Sequence, residues 1–135
     1  MISGLITACA SPEKEADPDK LNILFIAIDD MNDWIGPLGG NPMALTPHLD
    51  QLAAECMVFT NAHCASPACS PSRLSLMNGV SPVTSGVAQN QWYDGPEWRK
   101  LPAMQGIESL EEFFRNRGYT TYAGGKIYHT LAPPW

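Results

Sequence analysis

Asn22-Ile23-Leu24-Phe25-Ile26-Ala27-Ile28-Asp29-Asp30 is an apolar run, β-branched in part, that ends in two carboxylates. Side chains of a strand alternate between its faces, so a run without polar interruption must be covered on both. That is the situation of a strand inside a parallel sheet. Open α/β sheets hold their ligands beyond the C-terminal ends of such strands, which is where Asp29 and Asp30 would then sit.

The pattern continues outward from this run. Thr46-Pro47 offers an N-cap and a proline at the first helical position. Leu49, Leu52, Ala53 and Cys56 follow at helical spacing, which predicts an apolar face with Cys56 in the core. Met57-Val58-Phe59-Thr60 predicts a short second strand. Ser70 as cap, Pro71 in the first turn and Gly79 as terminator predict a short helix. Residues 80–106 form a Pro- and Gly-bearing irregular segment with three aromatics, Trp92, Tyr93 and Trp98, expected on its rim. Ser109 to Arg117 predicts a helix with Leu110, Phe113 and Phe114 inward and Gly118 as its C-cap. Tyr119 to Ala123 predicts a third strand. This alternation points to an α/β sandwich with a largely parallel sheet.

Composition narrows the function classes. With 135 residues, 44% hydrophobic and 16% charged, the chain suits one globular domain. A net charge of −6 without a basic stripe argues against non-specific nucleic-acid binding. No apolar run approaches the roughly 20 residues of a transmembrane span. The four cysteines, at 9, 56, 64 and 69, lack the repeated spacing of a disulfide framework or a zinc ribbon. Ile6-Thr7-Ala8-Cys9 has the order of a bacterial lipoprotein cleavage box, and Ser11 to Lys20 a polar tether, although the stretch before Cys9 is short and has no basic start. Residues 1–20 are thus expected to be a lipoprotein signal and tether, placing the protein in the periplasm or elsewhere outside the cytoplasm, lipid-anchored through Cys9. The chain stops at Ala132-Pro133-Pro134-Trp135 without a closing element. Residues 21–135 are therefore expected to be the front part of a longer domain.

Three segments carry chemistry. Adjacent carboxylates such as Asp29 and Asp30 suit a hard divalent cation, although on composition alone such a pair more often caps a turn; Asp33 offers a third ligand but is better read as a turn residue. Cys69-Ser70-Pro71-Ser72-Arg73 sets a thiol at a helix N-terminus, where backbone amides favour an anion, with a permanent cation one turn on. That pairing suits a tetrahedral anion such as sulfate or phosphate; taken alone, it is as well explained by a buried Cys in a turn. Lys126 and His129 share the turn after the third predicted strand, where they could contact ester oxygens and protonate a leaving group. Either one alone would pass for a surface residue.

Together the segments resemble one family, the type I sulfatases of the alkaline-phosphatase-like superfamily. Cys69-Ser70-Pro71-Ser72-Arg73 matches that family's Cys-x-Pro-Ser-Arg motif, and Leu74 to Gly79 continues it. Gly118-Tyr119-Thr120-Thr121 through Gly125-Lys126-Ile127-Tyr128-His129 is similar to the second motif. Asn22 to Asp30 resembles the first strand and metal pair, and Thr46-Pro47-His48-Leu49-Asp50 the usual helix start. The Gly-Lys-x-x-His form, with Asp29-Asp30-Met31-Asn32-Asp33, is most similar to the iduronate-2-sulfatase-like branch. Ala68, Asn78 and Gly124 depart from the commoner residues. The family's second pair of metal ligands and a further lysine are not among these residues.

The resemblance implies a three-layer, alkaline-phosphatase-like sandwich of which this is the N-terminal portion. It implies hydrolysis of a sulfate ester, with a carbohydrate ester such as that of a sulfated glycan as the expected substrate. It further implies that a maturation enzyme, recognising Pro71 and Arg73, oxidises Cys69 to formylglycine. One hydroxyl of the hydrated aldehyde then attacks sulfur and displaces the alcohol; the other expels sulfate. Asp29, Asp30 and modified Cys69 would bind one calcium ion, which prefers oxygen to a thiol. Arg73 would hold the formylglycine, Lys126 the sulfate oxygens, and His129 would position the nucleophile or assist proton transfer. Read from the residues themselves, Trp92, Tyr93 and Trp98 suit sugar stacking on the rim, and equally packing. Two other readings are a phosphonate or phosphodiester hydrolase using the same modified residue, and a non-catalytic fragment.

Overall fold

The computed structural model describes residues 21–90 and 95–129. The expected lipoprotein signal, with Cys9, and the rim aromatics Trp92 and Tyr93 lie outside the described residues. The chain divides into two compact units, Met1–Val58 and Phe59–Trp135.

In the first unit the helical signals are realised locally. Helix α1 spans Pro47–Glu55, with Thr46 at its N-cap position and proline at its start. The Thr46 hydroxyl, however, does not cap the helix. It accepts the Gly36 N–H at 2.9 Å and donates to the Asp50 carboxylate at 2.9 Å, tying the 3-10 turn Gly36–Leu38 to α1. A Cβ on Gly36 would lie 2.1 Å from that carboxylate, so a larger residue would require the Asp50 side chain to move off the Thr46 hydroxyl. The Asp33 carbonyl accepts the Gly40 N–H at 3.0 Å, the behaviour of a turn residue. The apolar face expected of α1 is uncovered: the helix has no buried residue, Leu52 is exposed, and Cys56 is exposed rather than in a core.

The second unit contains helix α2 (Cys69–Asn78), the single turn α3 (Pro82–Ser85), 3-10 turns at Gly95–Lys100 and Pro102–Met104, and helix α4 (Leu110–Asn116). Leu74, Val87, Trp98, Met104 and Tyr128 form its core, flanked by Met77, Val80, Leu101, Ile107 and Ile127. Trp98, expected on a rim, is completely buried, with the Arg99 guanidinium 4.2 Å from its ring centre. A core this small gains most from its largest side chain, of the order of 3 kcal/mol for a buried aromatic. On α4 the expectation is also corrected, because Leu110 and Phe113 are exposed. The carboxylates of Glu111 and Glu112 reach Tyr128 and Arg99 instead, while Phe113 packs under Arg117 (3.4 Å) and edge-on to Phe114.

Among the described residues there is no strand, so the segments 22–28, 57–60 and 119–123, expected as strands of a parallel sheet, are not paired. The reason is physical: a strand is held by hydrogen bonds to neighbours and, in a parallel sheet, by cover on both faces. Here Leu24 is 84% exposed and Phe25 60%. Among the described residues no helix is long and apolar enough to cross a membrane.

Candidate functional site

Cys69 is the first residue of α2, preceded by Ala68 in an extended conformation. The helix therefore starts ahead of Ser70, the expected cap, and Ala68 has no side-chain oxygen to cap it. Asn90 does this work from twenty residues away, its Oδ1 accepting the Ser70 N–H at 2.9 Å. Pro71 has no N–H, and the Ser72 N–H is bonded to the Ala68 carbonyl at 3.2 Å. Three of the first four positions thus offer no amide to an anion. The expected contribution of the helix N-terminus shrinks, and that of the cationic side chains grows. At the other end, Gly79 takes a left-handed conformation (φ 68°) and returns its N–H to the Ser75 carbonyl at 2.8 Å, the termination expected of it.

Arg73, one turn beyond Cys69, is half-buried, and its Nη1 donates to the backbone carbonyl of Lys126. This bond joins two motifs 53 residues apart. Two residues further on, the Tyr128 side chain is buried in the core, and its hydroxyl donates to Glu111 Oε1 at 3.4 Å, with the Asn78 side chain also against it. Burial pushes the Tyr128 phenol well above its ordinary range, and the Glu111 carboxylate adds to this. Tyr128 is therefore a neutral donor at any physiological pH. Lys126 keeps its side chain exposed and His129 is half-buried.

Cys69, Arg73, Lys126 and His129 all belong to the second unit, and Asp29 and Asp30 to the first. Both aspartates are exposed and follow one another into a turn in which Asp30 (φ 54°) and Asn32 (φ 55°) are left-handed. Asp and Asn are the side chains that tolerate this region best. Among the described residues no group of three or more His, Cys, Asp and Glu side chains is gathered as a metal site. His48 is exposed, and His63 is hydrogen-bonded to Asn61 at 2.9 Å. Cys56 and Cys64 are exposed free thiols.

Three residues of the second unit escaped sequence reasoning: Asn90, Glu111 and Glu112. Asn90 and Glu111 have no local signal: one is an Asn in a loop, the other an acid in a helix's first turn, where the dipole alone would explain it. Ser109 and Glu112 were readable, because Ser-x-x-Glu before an apolar pair is a capping box. The Ser109 N–H and hydroxyl reach Glu112 Oε2 at 2.9 and 2.7 Å, and Arg99 reaches Oε1 at 2.6 Å. Burial pushes the Glu112 carboxyl up, but these donors together outweigh it and hold the group below its ordinary value.

Comparison with known proteins bears on the same segments. The family model described as Sulfatase matches residues 21–132. A protein named "Sulfatase" from Formosa agariphila is 37% identical over 129 residues, covering 93% of this chain and 25% of its own length. The "Ulvan-active sulfatase" of the same organism is 37% identical over 84% of this chain and 20% of its own length. "Iduronate 2-sulfatase" from Homo sapiens is 29% identical over 96% of this chain and 22% of its own length. The chain thus spans about a quarter or less of the length of these curated relatives. No solved structure matches. With the Cys-x-Pro-Ser-Arg helix and the Gly-Lys-x-x-His loop bonded to one another inside the matched region, the chain belongs to the sulfatase family.

Proposed function

We propose that the protein to which this chain contributes hydrolyses sulfate esters, with a carbohydrate ester as substrate, through a formylglycine formed from Cys69. The observation that carries this reading is the bond from Arg73 to the Lys126 backbone, which sets a fixed cation between the two motifs of a sulfatase-family chain. Relatives whose names specify ulvan, iduronate and N-acetylgalactosamine favour a sugar as the esterified alcohol. An alkaline-phosphatase-like α/β fold goes with the family, and the segments at 22–28, 57–60 and 119–123 are its candidate strands.

Each residue has a distinct part. Once formed, the hydrated aldehyde at residue 69 would supply one hydroxyl as the nucleophile toward sulfur and a second whose deprotonation would let sulfate leave. Arg73 offsets charge beside residue 69. Lys126 binds the sulfate oxygens, on which negative charge grows in the transition state. His129 moves a proton at the leaving oxygen or orients the nucleophile. Asp29, Asp30 and the modified residue 69 would hold calcium. Their donor chemistry fits: two exposed carboxylates and a hydroxyl in place of a thiol, all oxygen. Such an ion would supply charge neutralisation and acidify a hydroxyl held by residue 69. A formylglycine-forming maturation enzyme is a necessary partner. Residues 1–20 serve as signal and tether, with a lipid on Cys9 holding the enzyme outside the cytoplasm, and residues 21–135 begin the catalytic domain.

The test uses the protein expressed from its full reading frame with a maturation enzyme. Paired aryl sulfate and aryl phosphate esters separate sulfatase from phosphodiesterase or phosphonate hydrolase activity. Cys69→Ala is expected to lower sulfate-ester turnover by at least about a thousandfold. Full turnover by that variant, or an unshifted intact mass for the Cys69 peptide in an active preparation, would refute the assignment.

A further inference from the structure

We propose that Tyr128 and Glu111 are positioning residues: the buried Tyr128 hydroxyl, held by Glu111, acts with Arg73 to fix the loop that presents Lys126 and His129. This rests on the sulfatase reading for the roles of Lys126 and His129, but its geometry is independent of that reading.

The loop has little of its own to hold it. Residues 124–129 lie in no helix or strand, and Gly124 and Gly125 precede Lys126, the second of them left-handed (φ 75°). A Gly-Gly entry leaves the backbone with maximal freedom, so the positions of Lys126 and His129 must come from tertiary contacts. Two are present. Arg73 of α2 takes the Lys126 carbonyl, and Tyr128 enters the core, 2% exposed, where Glu111 of α4 takes its hydroxyl at 3.4 Å. The anchors fall at alternate residues, 126 and 128. The main chain on both sides of Ile127 is thereby fixed, while the Lys126 side chain is left outside and His129 follows directly from a locked residue.

Packing alone would not require the polar pair. Phenylalanine would fill the same space without a hydroxyl to satisfy, and Glu111 Oε2 is buried with no hydrogen-bond partner among the described residues. A half-satisfied buried carboxylate is costly. What the pair adds over Phe is direction, since a hydrogen bond at the hydroxyl favours one direction and depth of the ring axis where apolar contact would tolerate several settings. Catalysis is sensitive to such settings, because displacement of a reacting group by about 1 Å costs up to about a hundredfold in rate.

The experiment compares Tyr128→Phe, Glu111→Leu and Glu111→Gln in the protein from its full reading frame, matured at residue 69, with an aryl sulfate as substrate. Tyr128→Phe and Glu111→Leu are expected to lower kcat about tenfold with KM within about twofold. Glu111→Gln keeps an acceptor oxygen and is expected to recover kcat to within about twofold of the parent. Hydrogen exchange of the peptide covering 124–129 provides the second reading. It is expected to quicken about tenfold in Tyr128→Phe and Glu111→Leu and not in Glu111→Gln. Unchanged kcat and exchange in Tyr128→Phe overturn the proposal, as does a Glu111→Gln variant no better than Glu111→Leu. If the parent protein turns over no sulfate ester, the sulfatase reading fails, and the exchange comparison alone decides whether the anchor exists.

Discussion

Glu112 joins three parts of the second unit through one side chain. Its Oε2 receives the Ser109 N–H and hydroxyl, closing the start of α4, and its Oε1 receives Arg99, whose guanidinium lies over the buried Trp98. Because donors hold the Glu112 carboxyl below its ordinary value when folded, the sign of its pH effect is fixed. A depressed folded pKa contributes stability that is present above the unfolded carboxylate pKa and is lost as pH falls through the lower folded value. Glu112→Gln should therefore cost about 1 kcal/mol at neutral pH, and the deficit should vanish at pH values below the ordinary carboxylate range. Urea midpoints of both proteins across that range check this. A deficit that stays constant with pH would mean that the ionised form has no special partner.

At the scale of elements, α2 is held at both ends by residues that differ in how visible they are. Gly79 is legible because its signal is local: a helix end next to a residue that adopts positive φ at little cost. Thr46-Pro47 and Ser109 are legible because their signals are local too, and a helix starts at each. The N-terminal cap of α2 was not legible, since Asn90 reaches Ser70 across twenty residues and a chain folded back on itself. Trp98 misled for a related reason: Gly and Pro around it signal a loop, but burial is decided by what the loop packs on. Asn90→Ala should lower the unfolding midpoint by an amount equivalent to about 1 kcal/mol, with Asn90→Asp recovering most of it because a carboxylate accepts the same N–H at a helix N-terminus. Equal losses in the two variants would show that Asn90 acts through something other than this bond.

At the scale of the whole molecule, the run at 22–28 raises a question that no local rule answers. Its apolar character was plain in the sequence, as were the carboxylates after it, yet in this chain Ile23, Leu24, Phe25, Ile26 and Ile28 are all exposed. A sheet is non-local; its strands acquire cover only from segments that this stretch does not itself contain, and the chain spans about a quarter of the relatives it matches. An unpaired apolar segment is an association surface, because it offers both hydrophobic side chains and unsatisfied backbone groups. The 135-residue chain alone should bind a hydrophobic dye and self-associate. Ile26→Glu should reduce both, since a charge within a six-residue apolar window is a known brake on pairing between copies. In the protein from its full reading frame the same substitution should do the opposite. If residues 22–28 are a strand covered on both faces, a carboxylate there is buried without a partner, at a cost of several kcal/mol, and the protein should fail to fold or to accumulate. Size-exclusion profiles and dye fluorescence of the two lengths, each with and without Ile26→Glu, separate the cases. Equal tolerance of the substitution at both lengths would remove this run from the sheet, and with it the argument that Asp29 and Asp30 stand at the end of a buried strand.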